Sequence, residues 1–133
     1  MKRAMKSETK KKGAAFDFVL EELYTLEPTV KPMFGCHAVY VREKIVLILR
    51  RKEHYPEDNG VWLATIREHH DSLRKDLRSM RTIGVFGGVE SGWQNLPADS
   101  EQFEAEVMKA CNLILRGDPR IGKTPKRRVK KTN

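Results

Sequence analysis

Cys36-His37-Ala38-Val39-Tyr40-Val41, then Arg42-Glu43-Lys44, then Ile45-Val46-Leu47-Ile48-Leu49-Arg50-Arg51: the reading of residues 36–51 decides the fold. Successive strand residues point to opposite faces, so Cys36, Ala38 and Tyr40 share one side while His37, Val39 and Val41 share the other. The polar Arg42-Glu43-Lys44 between two such runs predicts a hairpin. Ile45 to Leu49 is apolar at every position, which suits a strand that is central in its sheet or covered on both faces.

Working outward, Thr29 to Phe34 reads as a short strand. Pro32 within it lacks a backbone donor, so this strand should lie at an edge or begin there. Upstream, Phe16, Val19, Leu20, Leu23 and Tyr24 form the stripe of an amphipathic helix over Ala15 to Leu26, stopped by Pro28. Downstream, Glu53 to Gly60 is polar and ends in the turn signal Asp58-Asn59-Gly60. Val61 to Ile66 is the next strand, followed by a helix over Glu68 to Met80 with Leu73, Leu77 and Met80 on one face and His69 or His70 at its start. Thr82 to Phe86 and Gly92 to Leu96 read as short strands, the second carrying Trp93. The last helix has Asp99 as its cap, Gln102 in capping-box position, the stripe Phe103, Val107, Ala110, Cys111 and Ile114, and Gly117 as its stop. This order predicts an α+β fold, an antiparallel sheet with helices packed on it in a single compact domain, rather than alternating βαβ units.

The chain has 133 residues and a net charge of +8, which is unevenly placed. Residues 1–12 carry +5 and residues 116–133 carry +7, so the 103 residues between them sum to −4. The length suits one domain. We divide it into a basic flexible segment at 1–12, a domain at 13–117 and a basic flexible tail at 118–133, because the ends lack the apolar periodicity that would offset ordering entropy. No apolar run approaches the ~20 residues of a membrane span, and the basic N-terminus lacks the pattern of a secretory signal. Cys36 and Cys111 cannot make a disulfide framework and read as reduced thiols, which leads us to expect a cytoplasmic protein with no membrane partner.

Gly117-Asp118-Pro119-Arg120-Ile121-Gly122-Lys123-Thr124 matches the phosphate-loop pattern GxxxxGK[ST], whose chemistry depends on a strand leading to a glycine loop and a helix N-terminus. Here a helix precedes the pattern and Pro125 follows it, so we read the match as accidental. His37, His54, His69, His70, Cys36 and Cys111 show neither CxxC nor HxxxH spacing, and we expect no metal site. His69 and His70 read as partly exposed residues at a helix start. Cys36 and His37 point to opposite faces and cannot form a nucleophile–base pair, so Cys36 reads as packed near Ala38 and Tyr40. Glu53, Glu57 and Asp58 read as solvated loop carboxylates. No catalytic residue and no cofactor is expected. The basic ends differ in kind: Lys10, Lys11, Lys12, Lys126, Arg127, Arg128, Lys130 and Lys131 can neutralise phosphates in sequence-tolerant, salt-dependent binding to nucleic acid. The tail has no aromatic residue, which favours backbone contact over base stacking. The alternative is a protein-interaction module that docks a partner through the sheet or Trp62 and Trp93, with tails that only solubilise.

Lys31-Pro32-Met33-Phe34-Gly35-Cys36-His37-Ala38-Val39-Tyr40, preceded by the helix, resembles the N-terminal domain of the TfoX/Sxy family, in which a basic residue and Met-Phe-Gly-Gly lead into a strand ending in Tyr. Through Trp93 and the final helix the likeness extends to YjbR-like proteins. The resemblance spans about 13–115, and Met33-Phe34-Gly35 is its specific element. It implies an α+β domain of bacterial regulatory type, associated with nucleic acid rather than catalysis. Cys36 stands where the family has a second glycine, residues 53–80 form a longer region, and the basic tail replaces the family's C-terminal domain. In that element we expect Gly35 to permit a special backbone conformation, and Met33 and Phe34 to anchor the first helix on the sheet.

Overall fold

The computed structural model describes residues 15–86 and 91–124. In chain order its regular elements are α1 (Phe18–Glu22), β1 (Thr29–Met33), β2 (Cys36–Val41), β3 (Lys44–Arg50), β4 (Gly60–Leu63), α2 (His70–Asp76), β5 (Arg81–Thr82), β6 (Gln94–Pro97) and α3 (Phe103–Leu115). Among the described residues the six strands form one antiparallel sheet in the order β1-β2-β3-β4-β6-β5. This is the α+β architecture read from the element order, and it places β3 inside the sheet and the Pro32-bearing β1 at its edge.

Both hairpins around β2 turn in two residues. Met33 pairs with Cys36 across Phe34-Gly35, and Val41 pairs with Lys44 across Arg42-Glu43. All four turn residues have positive φ, at 50°, 80°, 53° and 87° in chain order. Positive φ at both central positions is the type I′ turn, whose twist matches that of the strands it joins. Gly35 fills such a position at no steric cost, whereas Phe34, Arg42 and Glu43 occupy it against their intrinsic preference.

β3 also carries a bulge. Val39 pairs with Leu47 and Tyr40 with Ile45, leaving Val46 as an extra residue. Val46 and Leu47 therefore turn to the same side, while Ile45 and Ile48 turn to the other. The first side holds the main core. Val39, Val41, Leu47, Leu49, Val61, Leu63 and Leu96 meet Val19 of α1 and Leu23 just beyond it, Leu73 and Leu77 of α2 and its exit, and Val107, Ala110, Cys111 and Ile114 of α3. Phe16 and Phe18 contact Phe103 edge-on at centroid distances of 5.1 and 6.4 Å, which docks α1 on α3. The second side is a smaller cluster of Cys36, Ala38, Ile45, Ile48, Trp62, Ala64 and Ile83, joined by Met33, Tyr40, Val85 and Trp93.

Several boundaries differ from the sequence reading. The first helix is confined to Phe18–Glu22 because Phe16 has φ 54° and residues 24–26 tighten into a 3-10 turn. The second helix covers His70–Asp76, with Leu77 and Met80 keeping their core positions in the turn beyond it. Thr82 to Phe86 is not one strand: Arg81–Thr82 pairs with β6, then Gly84–Phe86 turns as a 3-10 helix. At the last helix Asp99 is no cap. Ser100 accepts the Gln102 N–H on its Oγ at 3.0 Å, and Asp99 instead faces Arg81 at 3.5 Å. Met33 and Phe34 do not anchor the first helix. Met33 packs on the second side, away from α1, and Phe34 is 88% exposed.

Candidate nucleic-acid interface

The C-terminal segment organises the site. Gly117, with φ 75°, ends α3: its N–H donates to the Ile114 carbonyl, and the Asp118 N–H donates to Leu113. This 6→1 closure is the Schellman pattern that glycine permits. Asp118 then folds the next turn, accepting the Arg120 backbone N–H at 2.9 Å and its side chain at 2.9–3.0 Å. Arg120 reaches on to Asp76 at 3.1 Å and Ser72 at 3.0 Å, tying the segment to α2. The hydrogen bonds from Arg120, the strongest influence, hold the Asp118 carboxyl below its ordinary range and push the guanidinium upward. Ile121 is buried in the main core. The Gly122 N–H donates to Ala64, and Lys123 exchanges both backbone bonds with Ile45 at 2.9 and 3.0 Å.

Residues 118–124, read from the sequence as the start of the tail, thus belong to the folded body. They fill the place beside the start of β3 where β4 has already ended. The same bonds dispose of the phosphate-loop match. From Gly117 to Lys123 every backbone N–H is donated within the chain, proline excepted, so none of these amides is left to cradle a phosphate.

Lys123 emerges on the second side of the sheet, where aromatic rings and cations alternate. Its Nζ lies 5.6 Å from the Trp93 ring centre. Trp93 meets Trp62 at 6.4 Å, and the Arg50 guanidinium lies 6.0 Å from the Trp62 ring. Across the strand row, Ile45 separates Lys123 from Tyr40, over which Lys31 sits at 4.8 Å. Arg50 itself is buried, donating to the carbonyls of His54 and Tyr55 and to Asn59 Oδ1. It serves the fold. Lys31 is exposed, and Lys123, Tyr40 and Trp93 are half-buried. The ring faces bias these two lysines toward those positions, a contact worth about 0.5–1 kcal/mol each at such exposure.

The remaining candidates fall elsewhere. Lys10, Lys11, Lys12, Lys126, Arg127, Arg128, Lys130 and Lys131 lie outside the described residues. Cys36 is buried and shares the second cluster with Ala38 and Tyr40. Cys111 is buried beneath α3, and burial pushes its thiol up to about 12. His70 bonds the Gly92 carbonyl at 2.8 Å. Among the described residues no three of His, Cys, Asp and Glu gather as a metal-binding group, and no helix is long and apolar enough to cross a membrane.

Asp58 is no solvated loop residue. It is 2% exposed, and its two carboxylate oxygens accept the N–H groups of Gly84 and Val85 at 3.0 and 2.7 Å. Its carbonyl accepts the Trp62 indole N–H at 2.9 Å. Nothing within residues 53–60 announces this, since the partners lie 26 and 27 residues further on. Lys31, Tyr40 and Lys123 were equally invisible as a group, because only strand pairing brings them together. Comparison with known proteins finds no matching family model, curated protein or solved structure.

Proposed function

We propose that this protein binds nucleic acid without catalysis, through phosphate contacts made by its basic ends and by the lysines fixed on the second side of the sheet. One observation carries the reading: Lys123, bonded into the sheet and held on Trp93, is separated only by Thr124 and Pro125 from the run beginning Lys126-Arg127-Arg128. The cationic stretch starts from a fixed point of the fold, on the same side of the sheet as Lys31, rather than from a remote linker. Fixed and tethered charges that engage one polyanion reinforce each other, since the first contact raises the effective concentration of the second. The resemblance of Met33-Phe34-Gly35 to the TfoX element supports a regulatory role of this kind. Docking of a protein through Trp62 is disfavoured, because that ring is 6% exposed.

The test is anisotropy titration of the full chain against DNA between 50 and 200 mM salt, beside a full-length variant with Lys126, Arg127, Arg128, Lys130 and Lys131 all changed to Gln. Each engaged cation contributes about 0.9 to the slope of log affinity against log salt on duplex DNA, so neutralising five should flatten it by up to about 4.5. Equal slopes for the two proteins, or no binding at 50 mM salt, would sink the proposal. A chain cut at residue 115 cannot serve here, because it would lose Ile121 from the core.

A further inference from the structure

Phe34 is placed against every local preference. It sits at the first central position of a type I′ turn with φ 50°, where Asn or Gly is favoured, and it leaves its ring 88% exposed. No fold requirement is visible for it, since its side chain joins neither core cluster. The tip is nonetheless held still. Lys52 Nζ donates to the Phe34 carbonyl at 3.1 Å, and the strands below pair in register from Met33–Cys36 to Thr29–Tyr40. A residue that breaks local rules on a fixed scaffold is where function is sought.

We infer that Phe34 is a stacking platform for an unpaired base, which adds to the phosphate contacts when the nucleic acid is single-stranded; this rests on the nucleic-acid reading above. Three observations favour that occupant. Lys52, whose Nζ lies at the Phe34 carbonyl, supplies a cation at the tip for an adjoining phosphate, and the exposed ring beside it is free to meet a base. The other exposed large apolar side chains among the described residues, Tyr24, Tyr55 and Ile66, lie on separate elements rather than around Phe34. A lone ring offers far less than the about 1,200 Å² that a stable protein interface buries. Insertion into a duplex is disfavoured too, because one ring gains no more than the cost of unstacking a base step.

The experiment compares full-length protein with Phe34→Asn and Phe34→Tyr, titrated against a mixed-sequence single strand and the matching duplex. Phe34→Asn suits the turn, so it should fold at least as stably and melt no lower than wild type. It should nevertheless lose about 5- to 150-fold in single-strand affinity, the range expected for one stacked base, with duplex affinity changed less than about twofold. Phe34→Tyr should retain the single-strand affinity. If wild type binds both forms and Phe34→Asn weakens neither, the stacking inference is overturned while phosphate binding stands. If wild type binds neither form, both readings fall. Self-association in ultracentrifugation that Phe34→Asn abolishes would assign the tip to a second copy of this chain and overturn the inference as well.

Discussion

Replacing Ile121 by Ala tests whether the C-terminal segment belongs to the fold. Ile121 is 5% exposed and lies in the same cluster as Val107, Ala110 and Leu113. The change removes three buried carbons, worth about 0.8 kcal/mol each in transfer free energy. A cavity adds to that cost, but Ile121 lies on a short irregular segment that can settle into the space, so the cavity contribution should be small. We therefore expect a loss of about 2–3 kcal/mol, which is about 8–12 °C in Tm at roughly 4 °C per kcal/mol for a domain of this size. Urea unfolding followed by fluorescence of the buried Trp62 reads the free energy directly, and an unchanged m value would place the effect in stability rather than in compactness. Lys123→Gln provides the contrast: it keeps the backbone bonds to Ile45, loses one partly exposed cation–ring contact, and should cost no more than about 1 kcal/mol. Amide exchange at Gly122 and Lys123 should speed up in Ile121→Ala, because those two N–H groups depend on the anchor. A change in stability within about 0.5 kcal/mol, the range of surface substitutions, would refute the reasoning and return 118–124 to the status of a tail.

Asp58→Ala should destabilise by about 3 kcal/mol in the same urea assay, since it strands two backbone N–H groups that now donate to a carboxylate. Changing Arg42-Glu43 to Asn-Gly should stabilise by about 1 kcal/mol, because both positions have positive φ that the new residues adopt freely; a loss would mean that the native side chains make compensating contacts. The depressed carboxyl of Asp118 gives a signed pH dependence. The folded state releases that proton more readily than the unfolded chain, so the stabilisation is complete above the ordinary carboxylate value of about 3.9 and is lost as pH falls through the lower folded value. Melting from pH 6 to pH 3 should therefore fall more steeply for wild type than for Asp118→Asn, and parallel curves would contradict the assignment. Cys111, buried with its thiol pushed up to about 12, should resist a thiol reagent at pH 8 in the native protein and react only on unfolding.

What could be read in advance was whatever depended on neighbours in sequence. The alternation of Cys36 to Val41 and the unbroken run Ile45 to Leu49 gave the hairpin and the central strand, because a strand's side chains have a period of two wherever it sits. The α3 stripe was legible for the same reason at a period of 3.6, and Pro32 announced an edge through its missing donor. The cap of α3 was not legible because no side chain caps it: Gln102 holds the cap position, Ser100 Oγ accepts the Gln102 N–H, and Asp99 faces Arg81, distant in sequence.

The candidate site was legible only as charge. Counting residues located basic ends on an acidic body, but Lys31, Tyr40, Trp93 and Lys123 are separated by up to 92 positions and come to share one side of the sheet through the pairing of β1, β2, β3 and the C-terminal segment. Asp58 and Ile121 behaved alike: each looked solvated or tail-like beside its sequence neighbours, and each is buried by partners from remote segments. Phe34 is the reverse case, an aromatic residue whose composition predicts burial and whose turn places it in solvent. By itself, then, the sequence determined the α+β class, the central hairpin and the apolar stripe of α3, since periodicity and turn chemistry act over a few residues. The tertiary structure alone decided where the fold ends, which polar groups are buried and which ring is displayed, because those outcomes depend on contacts between residues far apart in the chain.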